Sequence, residues 1–330
     1  MVSLKDVSKA AGVSPSTVSR VITGKRPVEG ETRKRVLEAV RQLDYRPNLL
    51  ARGLRNKSGK SIGLMVPSIV HETFAHFIYF VEEACVTHGF TMILGNTQAN
   101  AEAEERVLKN FIGLNVDGAI VSQVSDSSTV VKSLSRFGIP VVGIDRALVE
   151  QGTDRVVVLN SEAGKMAARY LYTMGHRNIA CIAGPQTVSL SRERLEGFRT
   201  QMTEKGIEVQ YVAGSDFEYE TGVAMVRKLL EQGCEFTALW AHSDLLAVGA
   251  MNELQRLGMR VPEDVSVMGM DGIHLGEMVR PALTTVAQPF REICQHAVRL
   301  LLKRIEHEHA EPTPVVVMPK LIVRDSVSHK

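Results

Sequence analysis

The chain has 330 residues, 44% of them hydrophobic and 23% charged, with a formal net charge of +2. That length allows two or three domains with sizeable cores. No apolar run reaches the length of a membrane span, and no signal-peptide apolar region opens the chain, so membrane and exported classes are set aside. The four cysteines, Cys85, Cys181, Cys234 and Cys294, form no CxxC pair. Neither a zinc site nor a disulfide framework is expected, and buried thiols in a reducing cytoplasm are.

The near-neutral total hides an asymmetry. Residues 1–60 contain 14 Lys or Arg against 5 Asp or Glu, and the remaining 270 contain 25 against 32. A basic head on an acidic body suits phosphate neutralisation and counterion release. Within that head, Val7, Ala10 and Ala11, then Val18, Val21 and Ile22, fall at helical spacing and predict two short helices with buried faces. Gly12-Val13-Ser14 between them is a tight turn. Ser14 caps the second helix and Pro15 suits its first turn. This is a helix-turn-helix. The second helix opens on Pro15 among the small polar residues Ser14, Ser16, Thr17 and Ser19, and carries Arg20 on the same face as Ser16. A helix that enters a DNA major groove needs such a face.

Lys25-Arg26-Pro27 then forms a basic loop. A third helix is predicted from about Glu31 to Asp44, with Val36, Val40 and Leu43 inward. Residues 1–46 thus make a DNA-binding headpiece. Residues 48–56, NLLARGLRN, form a short helix-like stretch in which Gly53 costs ~1 kcal/mol relative to Ala. A helix of this length is marginal alone, so residues 47–60 are expected to be a hinge and linker that becomes helical only when held.

From Ser61 the pattern changes to alternating strand and helix. The strand SIGLMVPS leads to a helix from about Phe74 to His88. The strands FTMILGNT, DGAIVSQ and IPVVGID follow, with helices at about 101–114 and 130–137. A second set is expected to begin near Val156, with helices at 162–174, 191–205, 220–232 and 245–257 and strands NIACIAGP, VQYVAG, ALWAHSD and VSVMGMDG. A helix at about 290–306 and one terminal strand, VVVMPKLIV, close the chain. The fold class expected is α/β: a helical headpiece and hinge followed by two doubly wound parallel layers with a ligand cleft at the strand carboxyl ends.

Several motifs in this order, KDVSKAAGVSPSTVSRVI, YRPNLLARGL, GHRNIACIAGP, RLEGF, SDLLAVGAM, VPEDVSVMGMDG and PALTTVAQP, resemble the lactose-repressor/galactose-repressor family of bacterial transcription regulators. The resemblance covers essentially the whole chain. It implies a core similar to periplasmic sugar-binding proteins, spanning 61–330. There the chain crosses between subdomains three times: 61–158 with about 288–318 form the first, and 159–287 with the C-terminal strand form the second.

The family's DNA mechanism then implies that Pro15, Ser16 and Arg20 reach base edges. Proline offers only apolar contact and serine discriminates weakly, so Arg20 carries most of the direct readout, bidentate to guanine. Leu54 matches the hinge leucine that wedges into the minor groove, with Arg52 and Arg55 beside it. Glu29 stands where the family usually has serine as the cap of the third helix, and a weaker cap is expected.

In the effector cleft the resemblance implies roles for Arg194, the arginine of the R-x-x-G-F motif, for Asp271 after the late strand, and for Trp240 stacking on a ligand ring. Phe74, with His71 and Glu72 before it, matches a segment that is usually Asn-Pro-Phe-Phe. The proline is missing here and a His-Glu pair is added. Asp145, ahead of Arg146, faces the cleft, and His274 lies close after Asp271. Leu159 replaces a usual aspartate before Asn160, so one polar contact is lost.

The expected function is a sequence-specific regulator, a repressor by preference, controlled by a sugar or sugar derivative. A nucleoside- or purine-responsive regulator, or an activator, is the alternative. It would work in the bacterial cytoplasm, on the nucleoid when bound, without cofactor or metal. No GxGxxG after a strand, GxSxG elbow, HExxH or Walker loop points to an enzyme. A solute-binding protein would need an export signal and no basic head. The chain ends at RDSVSHK without a leucine heptad, so a homodimer on a near-palindromic operator is expected rather than a tetramer.

Overall fold

Ser3 and Asp6 start the first helix by capping each other. The Ser3 hydroxyl accepts from the Asp6 N–H at 3.3 Å, and the Asp6 carboxylate accepts from the Ser3 N–H at 2.8 Å. The structure is a computed structural model that describes residues 2–23, 27–45, 59–123, 129–145, 153–306, 311–312 and 314–330. Helix α1 (Leu4–Ala11) ends on Gly12 at φ 65°, a left-handed turn that glycine adopts without strain. Helices α2 (Pro15–Thr23) and α3 (Gly30–Gln42) complete the headpiece.

Its core is Val7, Ala11, Val18, Val21, Val36 and Ala39, with Ile22, Val40 and Leu43 packed against them. Ala10, expected inside, is exposed. Ser8 faces inward instead and donates its hydroxyl to the Val13 carbonyl at 2.6 Å, which ties the turn to the helix. Glu29 precedes α3 and makes no side-chain cap bond, as the loss of serine there implied. The hinge with Arg52, Leu54 and Arg55 lies outside the described residues, as do Lys25, Arg26 and Arg146.

Headpiece and core form separate units, Met1–Gly59 and Lys60–Lys330. The core begins with β1 (Ser61–Val66), α4 (Glu72–Thr87), β2 (Thr91–Asn96), α5 (Ala101–Leu114), β3 (Gly118–Val121), α6 (Val130–Arg136), β4 (Val141–Ile144) and β5 (Asp154–Val158). With β11 (Pro314–Val317) these strands form an all-parallel sheet in the order β11-β5-β4-β3-β1-β2. The strand at Val156, read from the alternation as opening the second set, is therefore the neighbour of β4 in the first sheet, on the side where the resemblance's boundary at 158 put it.

The second half runs α7 (Asn160–Thr173), β6 (Ile179–Ala183), α8 (Ser189–Thr203), β7 (Gln210–Ala213), α9 (Tyr219–Glu231), β8 (Ala238–Ala241), α10 (Asp244–Arg256), β9 (Ser266–Asp271), α11 (Leu275–Met278) and β10 (Thr284–Ala287). With β12 (Lys320–Ile322) its sheet has the order β12-β10-β9-β8-β6-β7, and β12 runs antiparallel to β10. Strand β10, in the motif PALTTVAQP, and the short α11 were not foreseen. The expected single terminal strand is two. Met318-Pro319 breaks it, and each half joins a different sheet.

Helix α12 (Phe290–Glu306) returns to the first sheet. It buries Ile293, Cys294, Ala297, Val298 and Leu301 with Ile62, Leu64 and Phe77. The inner parallel strands β1, β3, β4 and β6 are buried on both faces, which explains their unbroken apolar runs.

Candidate functional site

In the headpiece, Pro15 opens α2, and the Ser14 hydroxyl accepts from the Thr17 N–H at 3.2 Å. That hydroxyl also lies 2.7 Å from Ser16 Oγ and 2.9 Å from Thr17 Oγ1. The turn is therefore held by its own polar residues while α2 packs through Val18 and Val21. Ser14, Pro15, Ser16 and Arg20 are exposed, and Thr17 and Ser19 are half-buried. The face foreseen for base edges is outward.

In the core, the site starts from a close helix crossing. A Cβ on Gly197 would lie 2.1 Å from the Ser161 carbonyl oxygen, and one on Gly164 would lie 2.2 Å from that of Arg194. Only hydrogen fits at either place, so α7 and α8 touch backbone to backbone. That contact brings Arg194, 2% exposed, against Asn160. Its Nε donates to Asn160 Oδ1 at 2.9 Å and its Nη1 to the His242 carbonyl at 2.7 Å, while Nη2 lies 3.8 Å from Asp271 Oδ1. Leu159, before Asn160, provides no side-chain cap for α7.

Asp271 ends β9 at φ 119°, where side chains other than glycine rarely sit. Its Oδ1 accepts from Gln288 Nε2 at 2.7 Å and its Oδ2 from Thr73 Oγ1 at 3.2 Å. Behind it, Asp244 accepts from the N–H groups of Gly272 and Ile273 at 2.7 and 2.8 Å and from the Thr285 hydroxyl at 2.6 Å. Burial, then the neighbouring Asp271 charge, push the Asp244 carboxyl up to about 8. His242 is fully buried. Burial first, then the Arg194 guanidinium, hold it well below the ordinary histidine range. Its Nδ1 accepts the Gly184 N–H at 3.2 Å, which leaves the proton on Nε2 in the neutral ring.

These groups meet in a small cavity of about 30 Å³, lined by His71, Thr73, Phe74, Asp145, Leu190, Arg194, Phe217, Asp271 and Gln288. It lies at the carboxyl ends of strands from both sheets, where ligands of open α/β sheets bind. In this closed form it has room for about one water, so a ligand can enter only when the two halves of the core part. Five of the foreseen residues converge here: His71, Phe74, Asp145, Arg194 and Asp271.

Three others do not. Trp240 is wholly buried in β8, stacked on Phe198 at 4.6 Å between ring centres, with Nε1 donating to the Gly269 carbonyl. It faces the core because every residue of β8 is enclosed, so it presents no ring to the cavity. His274 points outward to Glu277 at 3.3 Å, its side chain 61% exposed. Glu72 turns past the cavity to the backbone of the second subdomain. Phe217, Leu190 and Gln288 were missed. Phe217 and Leu190 sit in loop or first-turn positions with no pattern of their own. Gln288 sat in a quoted motif, and a polar residue directly after an apolar strand was the available signal.

Residues 3–48 match the family described as bacterial regulatory proteins, lacI family, and residues 168–327 match the periplasmic binding protein-like domain. The HTH-type transcriptional repressor PurR of Pasteurella multocida (strain Pm70) is 37% identical over 333 residues, covering 100% of both chains. The chain belongs to the lacI family. Among solved structures of lacI-family proteins, a lac repressor dimer bound to operator and the anti-inducer ONPF is similar at TM-score 0.90 and 26% identity over 99% of both chains. A complex of the transcriptional regulator CelR with cellobiose is similar at TM-score 0.75 and 32% identity, over 99% of this chain and 100% of that one. This lacI-family chain thus joins a helix-turn-helix to a periplasmic-binding-like core of two sheets, one all-parallel and one parallel but for its edge strand β12. Among the described residues, no helix is long and apolar enough to cross a membrane.

Proposed function

We propose that the chain is a transcriptional repressor that binds a near-palindromic operator as a homodimer, its affinity set by a sugar or sugar derivative held between the two sheets. It performs no catalysis, and it works in the bacterial cytoplasm, at the nucleoid when bound. Arg20 reads guanine from the exposed face of α2, and Leu54 wedges the minor groove.

The observation that carries the effector reading is the convergence of Arg194, Asp271 and Gln288 on one cavity walled by Phe74 and Phe217. Gln288 adds a specific demand. Asp271 only accepts, so the Gln288 amide must turn its NH₂ toward it. The Gln288 Oε1 is then a buried acceptor with no hydrogen-bond partner among the described residues. A ligand hydroxyl would satisfy it, and a sugar hydroxyl both donates there and accepts from Arg194. The likeness to the CelR–cellobiose complex supports a carbohydrate. A nucleobase is the second reading, favoured by the two phenylalanines that line the cavity and could flank a planar ring.

The test is thermal denaturation of the full chain with cellobiose, ribose, glucose and purine bases, paired with binding to DNA selected from a random pool. A sugar that raises the melting temperature by linkage and shifts DNA affinity is expected. If only a purine base does so, the second reading replaces the first. A stabilising ligand that leaves DNA affinity unchanged removes the effector role.

A further inference from the structure

Four consecutive backbone N–H groups, from Gly272 to Leu275, all end on carboxylates. The first two go to Asp244 of the same subdomain. The next two go to Glu72 of the other: His274 N–H at 2.7 Å and Leu275 N–H at 3.4 Å. The residue after Glu72, Thr73, makes a second crossing through its hydroxyl to Asp271. His76 Nε2 lies 3.7 Å from Glu72 Oε1, and the His76 ring stacks on Phe290 at 4.8 Å. The Glu72 side chain is 32% exposed, so water can replace these bonds and the contact is reversible.

We propose that Glu72 is the latch of the cleft, a positioning residue that sets how readily the core opens before a ligand enters. Opening must release His274 and Leu275 from Glu72. A ligand that seeks Asp271 must also displace Thr73. The latch therefore lowers apparent effector affinity by the fraction of molecules that are closed. That consequence rests on the cavity being the effector site. The latch itself can be tested without any ligand.

Amide exchange would be read residue by residue on the ligand-free full chain and on its Glu72→Ala and Glu72→Gln variants, with the radius of gyration from solution scattering. Loss of a charge-assisted bond should speed exchange at His274 and Leu275 by roughly tenfold in Glu72→Ala. Glu72→Gln, which keeps a neutral acceptor, should show a smaller change. Gly272 and Ile273 should keep their rates because Asp244 still holds them, and the radius of gyration should rise. Unchanged exchange at His274 and Leu275 would overturn the proposal. So would equal acceleration throughout both sheets, which reports plain destabilisation, or an unchanged radius of gyration.

Discussion

Gln288 grips Asp271 at two points, with its side-chain amide on the carboxylate at 2.7 Å and its N–H on the Asp271 carbonyl at 2.9 Å. The backbone of Asp271 is strained, and this double hold from the next strand keeps it in place. Gln288→Ala should cost ~1–3 kcal/mol in urea unfolding, because one buried carboxylate oxygen loses its donor. Gln288→Glu should behave differently. Two carboxyls at hydrogen-bond distance cannot both ionise, so one holds a proton, and this variant should lose stability as pH rises. Equal losses at pH 5 and pH 8 would count against the geometry.

Asp244 and His242 should give the core opposite pH slopes. The folded Asp244 carboxyl is raised to about 8, so its contribution is whole below the ordinary carboxylate range and is lost as pH rises through about 8. The folded His242 is depressed, so its contribution is present above about 6.5 and is lost as pH falls below that. Asp244→Asn can still accept from Gly272 and Ile273 while its amide donates to Thr285. It should fold, with the alkaline slope weakened and the acid slope retained. Calorimetry across pH 5 to 9 measures both, and an unaltered alkaline slope would exclude Asp244 as its source.

Restoring a cap should stabilise the headpiece. Glu29 makes no side-chain bond to α3, so Glu29→Ser should gain about 0.5–1 kcal/mol. Chemical unfolding followed by circular dichroism of the headpiece transition reads this directly, and a loss would mean that the Glu29 charge already serves the helix end.

Arg20→Ala should cost ~1–3 kcal/mol in operator binding and relax preference at one base pair of each half-site. A binding selection on randomised DNA decides this. A uniform loss across all sequences would assign Arg20 to phosphate instead.

Periodicity carried most of the fold, because amphipathic helices and fully buried parallel strands leave strong patterns. It failed where local pattern and long-range partner differ. Val156 reads as a strand, but its own pattern does not say which sheet it joins; only the family resemblance, with its boundary at 158, put it in the first. Pro319 was visible in the last apolar run, yet only the two separate ladders show that the run is divided there. The site followed the same division. Arg194 and Asp271 were legible from motifs. Gln288 and Phe217 come to them through contacts distant in sequence, and Trp240 misled because an aromatic ring suits a core as well as a ligand.

The two sheets are joined by three very short crossings: Leu159 after β5, Gln288-Pro289 after β10, and Met318-Pro319 after β11. The first and third are tied by the Leu159 N–H on the Val317 carbonyl at 3.1 Å. Tethers of one or two residues have almost no slack, and proline in two of them fixes a backbone torsion. Three such tethers resist sliding and twisting far more than bending. The relative motion of the halves is thereby reduced to something close to a single angle. A ligand touching Gln288 grips the pivot of that angle itself, so even a small molecule has leverage over the whole rotation. Lengthening the crossing at Leu159 or at Met318-Pro319, neither of which lines the cavity, would leave the cavity contacts intact and still release the other motions, so binding would persist while its message to the DNA-binding end was lost.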